Sequence, residues 1–188
     1  MVNRAIWIMA LLTCTSAAAA EVRITLDPTV KHQTITGWEA TAWIAEPSDL
    51  AFPYYKDTVY DLVVNEIGID RVRLEIRSGV ENDNPNWSDY QAGIIDYPTW
   101  RSRRYATVND NSDPCSINWA GFHFSEIDHQ IDTVIMPLRK LLEAKGEKLY
   151  VNLNYVAFTG QITGGGIYMH DNPEEYAEFV LATYLHLQ

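Results

Sequence analysis

The segment Ile69-Asp-Arg-Val-Arg-Leu-Glu-Ile-Arg77 decides the fold. Val72, Leu74 and Ile76 alternate with Arg71, Arg73, Glu75 and Arg77. A period of two marks a β-strand with one apolar face and one charged face. In an antiparallel surface sheet the charged face would meet water. In a barrel it would point into the lumen, where charges must be paired or functional.

Working outward, the segment before this strand is helical. Tyr55, Val59, Leu62, Val63 and Ile67 recur at helical spacing, with Pro53 near the start and Gly68 just past the end. Upstream of that, Thr34 to Ala40 runs into a first strand. Downstream, Ser125 to Lys145 carries the apolar stripe Ile127, Ile131, Val134, Ile135, Leu138, Leu141 and Leu142. Pro137 should kink this helix or sit in a tolerated bend, and Gly146 ends it. Leu149 to Phe158 is the next strand: Leu149, Val151 and Leu153 share one face, Asn152 and Asn154 the other. After a glycine-rich loop from Thr159 to Asp171, Asn172 caps a helix with Pro173, Glu174 and Glu175 in its first turn. Tyr176, Phe179, Val180 and Leu187 are its candidate buried residues.

The stretch from Gly79 to Gly121 shows no sustained period and reads as one long loop rich in aromatics. Asn86-Trp87-Ser88 within it is a glycosylation sequon, a weak signal at this length. At the N-terminus, a basic start, the apolar run Ala5 to Leu12 and the small residues Ala17 to Ala20 predict a signal peptide over 1–20 and a secreted or periplasmic protein. That run is too short to span a bilayer, which takes about 20 residues. Over 21–36, Val22 to Leu26, a turn at Asp27-Pro28 and Lys31 to Thr36 predict a short β-hairpin.

Three strands alternating with three helices give an α/β chain with parallel pairing. An open doubly wound sheet should have fully apolar central strands. The polar alternation favours a (β/α)8 barrel, of which 37–188 supplies about three of the eight units. The last helix reaches Gln188 without a stop signal, which reads as a truncated chain.

A net charge of −11 argues against nucleic acid and anionic membranes as partners. Cys115 is the single cysteine after removal of the leader; no internal disulfide forms, and no flanking pattern activates its thiol. His123, His129 and His170 lack metal-ligand spacing, and Gly164-Gly165-Gly166 lacks a dinucleotide fingerprint, so neither metal nor cofactor is expected. Six tryptophans and eleven tyrosines supply candidate sugar platforms, above all Trp38, Trp43 and the set from Trp87 to Trp119.

Three segments in order, His32 to Ala40 (HQTITGWEA), Gly68 to Ile76 (GIDRVRLEI) and Glu147 to Tyr155 (EKLYVNLNY), resemble the N-terminal half of a family-30-type, clan A glycoside hydrolase. The resemblance covers most of Glu21 to Gln188. It implies a retaining hydrolase of β-linked glycans or glycosides. It places Arg73 beside the catalytic carboxylates, where a cation holds an ionised carboxylate in position. The bland alternative for Arg73 is a structural ion pair with Glu75 or Glu39. Glu39 stands where the family pattern has glycine; it would pair with Arg73 or Arg77, or bind a sugar hydroxyl. Asn152 and Asn154 depart from the family's Ser-Pro-Trp pattern, and Tyr155 would stand for the tryptophan. The candidate substrate-binding set is therefore Trp38, Glu39, Trp43, Arg73, Glu75, Asn152, Asn154 and Tyr155.

Retaining glycosidases need two carboxylates about 5–5.5 Å apart. The family's acid/base sits in an Asn-Glu pair after the fourth strand, and its nucleophile ends the seventh. Asn65-Glu66 lies in the first helix, so no catalytic residue is assigned and the chain alone is expected to be inactive. The alternative function is a secreted, non-catalytic carbohydrate-binding or interaction module that uses the aromatic loop.

Overall fold

The computed structural model describes residues 23–45, 49–157 and 172–188. The signal peptide expected over 1–20 and the whole glycine-rich loop over 159–171 lie outside the described residues. Residues 1–34 and 35–188 form two separate units.

In the first unit the turn is present without the hairpin. Thr29 donates through its backbone N and its hydroxyl to Asp27 Oδ1 (2.9 and 2.6 Å), and Val30 N reaches Asp27 O at 3.3 Å. These hydrogen bonds hold the Asp27 carboxyl below the usual carboxylate range. No strand forms over 23–37, and Ile24 and Leu26 are exposed. Alternation alone does not make a ladder, because an isolated two-stranded ribbon has no layer on which to bury its apolar face.

The second unit is mixed α/β. Strands β1 (Trp38–Thr41), β2 (Ile69–Arg77) and β3 (Tyr150–Val156) form an open, wholly parallel three-stranded sheet in the order β1-β2-β3. Helices α1 (Phe52–Asp61), α4 (Ser125–Gln130), α5 (Met136–Ala144) and α6 (Pro173–His186) connect or follow the strands. Val72, Leu74 and Ile76 are buried in one core with Tyr60 and Val64, with Ile127, Leu138 and Leu142, and with Phe179 and Ala182 of α6. None of the described helices is long and apolar enough to cross a membrane.

The helix ends follow local chemistry. Gly68 closes the first helix at φ 75°, a left-handed conformation that glycine adopts without a Cβ clash. Asn172 caps α6 by accepting from Glu174 N at 3.0 Å. The bend expected at Pro137 takes the form of a π-helical turn, Ile131–Ile135, immediately before it; Met136 N bonds Ile131 O.

Proline has no N–H, so the carbonyl four residues back, that of Thr133, loses its helical donor. The Tyr60 hydroxyl, projected from α1, donates to that carbonyl. Tyr60 is buried and Thr133 half-buried, so removing the hydroxyl leaves a partly shielded acceptor without its protein donor. Tyr60→Phe is expected to lower stability by about 1–3 kcal/mol in urea denaturation. A change below a few tenths would mean that water already serves the carbonyl.

The long segment after β2 is more structured than its sequence suggests. It holds α2 (Asn86–Gln91) and α3 (Tyr97–Arg103) and returns through an antiparallel bridge between Glu81 and Phe122. Trp87, Tyr90, Tyr97 and Trp100 pack ring on ring, with Tyr90 stacked on Trp100 at 5.4 Å. At Gly79 a Cβ would stand 2.6 Å from the Arg104 carbonyl oxygen, so only glycine lets the segment close this tightly.

Candidate functional site

The parallel register lines up the polar side chains in rows across the sheet. Thr41 pairs with Arg73 and Arg73 with Asn152; one row on, Glu75 pairs with Asn154; one row back, Glu39 pairs with Arg71. Partners in register project from the same face, and side chains two apart along a strand share it. Thr41, Arg73, Glu75, Arg77, Asn152 and Asn154 therefore form one polar face, opposite the face that carries Val72, Leu74 and Ile76.

Ion pairs organise this face. Arg73 Nη2 donates to Thr41 Oγ1 and to Glu75 Oε1, both at 3.1 Å. Glu75 Oε2 accepts from Arg77 Nη2 at 3.3 Å, so one carboxylate spans two arginines. Arg77, almost wholly buried, pairs through Nη1 with Glu126 at the start of α4. Burial pushes the Glu126 carboxyl upward against the pull of Arg77 and Arg104. Desolvation opposes the Arg77 charge, but Glu126, Tyr105 and Glu75 outweigh it and hold Arg77 above its ordinary value. Arg77 thus stays charged, and the charge of the pair is decided at Glu126.

Aromatic rings frame the end of the face. Trp43, just past β1, lies 4.8 Å from the Arg77 guanidinium and 5.5 Å from that of Arg104. Arg104 also lies over Trp100 (5.2 Å) and Tyr105 (5.1 Å), so it joins the aromatic cluster to Trp43. Ser78 Oγ donates to Tyr105 O (2.8 Å) and Asn82 Nδ2 to Ala106 O (2.7 Å), which pins this segment over the end of β2.

Of the eight residues singled out from sequence, Thr41's neighbours Arg73 and Glu75 meet through direct bonds, and Asn152 and Asn154 stand beside them in register. Trp43 joins them through Arg77. Trp38 opens β1, is exposed, and gives its backbone N to Asp70 Oδ1 at 3.3 Å. Glu39 pairs with neither arginine: Arg73 is taken by Thr41 and Glu75, and Arg77 by Glu75 and Glu126. Tyr155 belongs to the other face. Its register partner is Ile76, and its ring meets Tyr176 (5.1 Å) and Phe179 (5.2 Å) edge-on. The period of two puts it with Leu153 rather than with Asn154.

The aromatics of the long segment divide into packed and exposed rings. Trp87 and Trp100 are buried against each other and serve packing, whereas Trp119 remains half exposed. Asn86 of the sequon is buried too, with its carboxamide inside the fold. Glu126 and Arg104 escaped sequence reasoning, and Tyr105 was placed only within the set of loop aromatics. Arg77 and Glu126 are 49 residues apart, and no local period links them.

Chemically, the face offers guanidinium, carboxylate, hydroxyl and amide groups side by side, hydrogen-bond donors and acceptors in adjacent rows. Glu75 and Glu126 are both engaged by Arg77. The larger cavities lie elsewhere: about 740 Å³ between α1 and α5, and about 580 Å³ beneath β3. The first is lined by charged side chains of its own, among them Lys56, Asp57, Asp132, Arg139, Lys140 and Glu143, and neither cavity is lined by a residue of the polar face. Among the described residues no three histidine, cysteine or acidic side chains are placed to hold a metal ion. No family model, curated protein or solved structure matches the chain.

Proposed function

We propose that this chain forms the first strand–helix units of a secreted or periplasmic (β/α)8-barrel glycoside hydrolase of family-30 type, that its polar sheet face binds a β-linked glycan or glycoside, and that the 188-residue chain does not itself hydrolyse it. The observation that carries this reading is the row Thr41–Arg73–Asn152, with Glu75–Asn154 beside it, on one face of a parallel sheet whose other face packs on helices. In an eight-stranded barrel such a face lines the lumen.

Two further features support it. Tyr150 and Val151 on β3 are exposed at the edge of the sheet. Helix α6 buries Phe179 and Ala182 yet also exposes Leu181, Tyr184 and Leu185 on another face. A helix apolar on both sides calls for a second covering layer, which a further barrel unit would supply.

Binding of soluble β-glycans to the chain, followed by calorimetry, tests the reading. Arg73→Ala is expected to weaken binding at least about tenfold, the loss of a charge-assisted hydrogen bond of about 1.5–3 kcal/mol. Aryl β-glycosides should remain uncleaved. Turnover by this chain would refute the assignment of the catalytic carboxylates to other strands, and undiminished binding by Arg73→Ala would remove the face from the site. The rival, a binding module built on the aromatic loop, loses Trp87 and Trp100 to the interior but keeps Trp119. It predicts that Trp119→Ala, not Arg73→Ala, abolishes binding.

A further inference from the structure

Helix α6 carries a glutamate where its core face should be apolar. Glu178 precedes Phe179 and is only 4% exposed. Its Oε1 is shut off from solvent and has no hydrogen-bond partner. Around it stand other acids: Glu175 on the same helix, Glu81 just past the end of β2, and Asp110 and Asp113 on the segment that returns from α3. Glu175 Oε2 and Asp110 Oδ1 are likewise buried without partners. The segment is fixed in place, because Asp110 N donates to Glu81 Oε1 at 2.9 Å and Asn118 N donates to Asp110 Oδ2.

A buried carboxylate facing like charges needs a cation or a proton. Among the described residues no three acidic groups converge on a point that would hold a metal ion. That leaves the proton. The neutral acid tolerates burial far better than the anion does. We propose that Glu178 is a proton-operated latch: protonated, it lets α6 seat against the segment that contains Glu81, Asp110 and Asp113; ionised, it loosens that seat. The inference does not depend on the glycan-binding reading.

The direction agrees with the local electrostatics. Burial first, then Asp110, Glu175, Glu81 and Asp113, push the Glu178 carboxyl from 4.5 up to about 7. A folded value above the unfolded one means that the folded state binds the extra proton in between. The stabilisation is then complete below 4.5 and is lost as pH rises through about 7. Rings oppose release from the other side, since Phe179 meets Phe122 at 6.4 Å and His186 stacks on Phe124 at 4.1 Å. Loosening of α6 should therefore be local and not global.

Backbone amide hydrogen exchange across α6 in the whole chain, corrected for intrinsic rates, tests this between about pH 5.5 and about pH 8. Opening of α6 is expected to increase more than about tenfold over that range, while amides of β2 stay unchanged. Glu178→Gln should hold α6 closed at both values and abolish the step. Asp113→Asn, at an exposed position, removes one repelling charge and should move the midpoint to lower pH. A flat response in the parent chain, or a step that survives Glu178→Gln, overturns the latch. So does a step erased by millimolar calcium, because the acids would then be holding a cation. If Glu178→Gln fails to fold, the Asp113→Asn midpoint decides alone, and an unmoved midpoint overturns the proposal.

Discussion

Replacing Arg77 by Met is expected to destabilise the chain by about 3–5 kcal/mol, read as a lower urea midpoint. The substitution removes the single cation that serves both Glu75 and Glu126. Glu126 then remains buried with no partner at contact distance, and the penalty for a stranded buried charge exceeds the net worth of the pair that was lost. The Trp43 ring also loses the guanidinium that lies against it at 4.8 Å. Combining Arg77→Met with Glu126→Leu should recover most of the loss, since replacing both partners of a buried pair with apolar groups is often neutral or stabilising. A single substitution costing less than about 1 kcal/mol would show that the buried pair is not formed in solution. Failure of the double substitution to recover would assign the effect to Glu75 instead.

Trp100→Ala should be comparably severe, at about 3–5 kcal/mol. Trp100 is the largest fully buried side chain in the described structure, with 0% exposure. Trp87, Tyr90 and Tyr97 all lean on it, and Arg104 lies over its ring at 5.2 Å. The small residue leaves a cavity that helices of six and seven residues are poorly able to close. Because Arg104 also reaches Trp43, the damage should extend to the polar face. If the polar face binds a glycan as proposed, that binding should weaken as well. Trp100→Phe keeps an aromatic ring and should restore most of both properties. If Trp100→Ala leaves stability intact, the aromatic cluster is not a packed unit.

The parts of the fold legible in sequence are those specified within a few residues. Strand β2 runs over Ile69–Arg77, the segment its alternation predicts. Gly68 and Gly146 sit just past helix ends at positive φ, and Asn172 caps α6. The helices α2 and α3 were hidden because six or seven residues hold too little of the 3.6-residue period to stand out. The expected hairpin over 21–36 failed for the opposite reason: its alternation is clear, but a strand also requires a partner and a layer to bury against. On the polar face, the placement of Arg73, Glu75, Asn152 and Asn154 followed from the period of two. Tyr155 was legible by the same rule, since it shares parity with Leu153, and only the family pattern set it among the polar residues. Glu126 and Arg104 carry no such signal, because pairing across 49 residues or between two loops is a property of the tertiary fold.

The contact between Tyr60 and the carbonyl behind Pro137 ties two distant positions into one unit of inheritance. While proline occupies position 137, that position offers the Thr133 oxygen no N–H, and the hydroxyl at position 60 serves it instead. Once any other residue stands at 137, its own N–H competes for the Thr133 oxygen and phenylalanine at 60 becomes harmless. The two positions should therefore drift together: proline retained with tyrosine, or both relaxed, with the mixed state of proline and phenylalanine the one selected against.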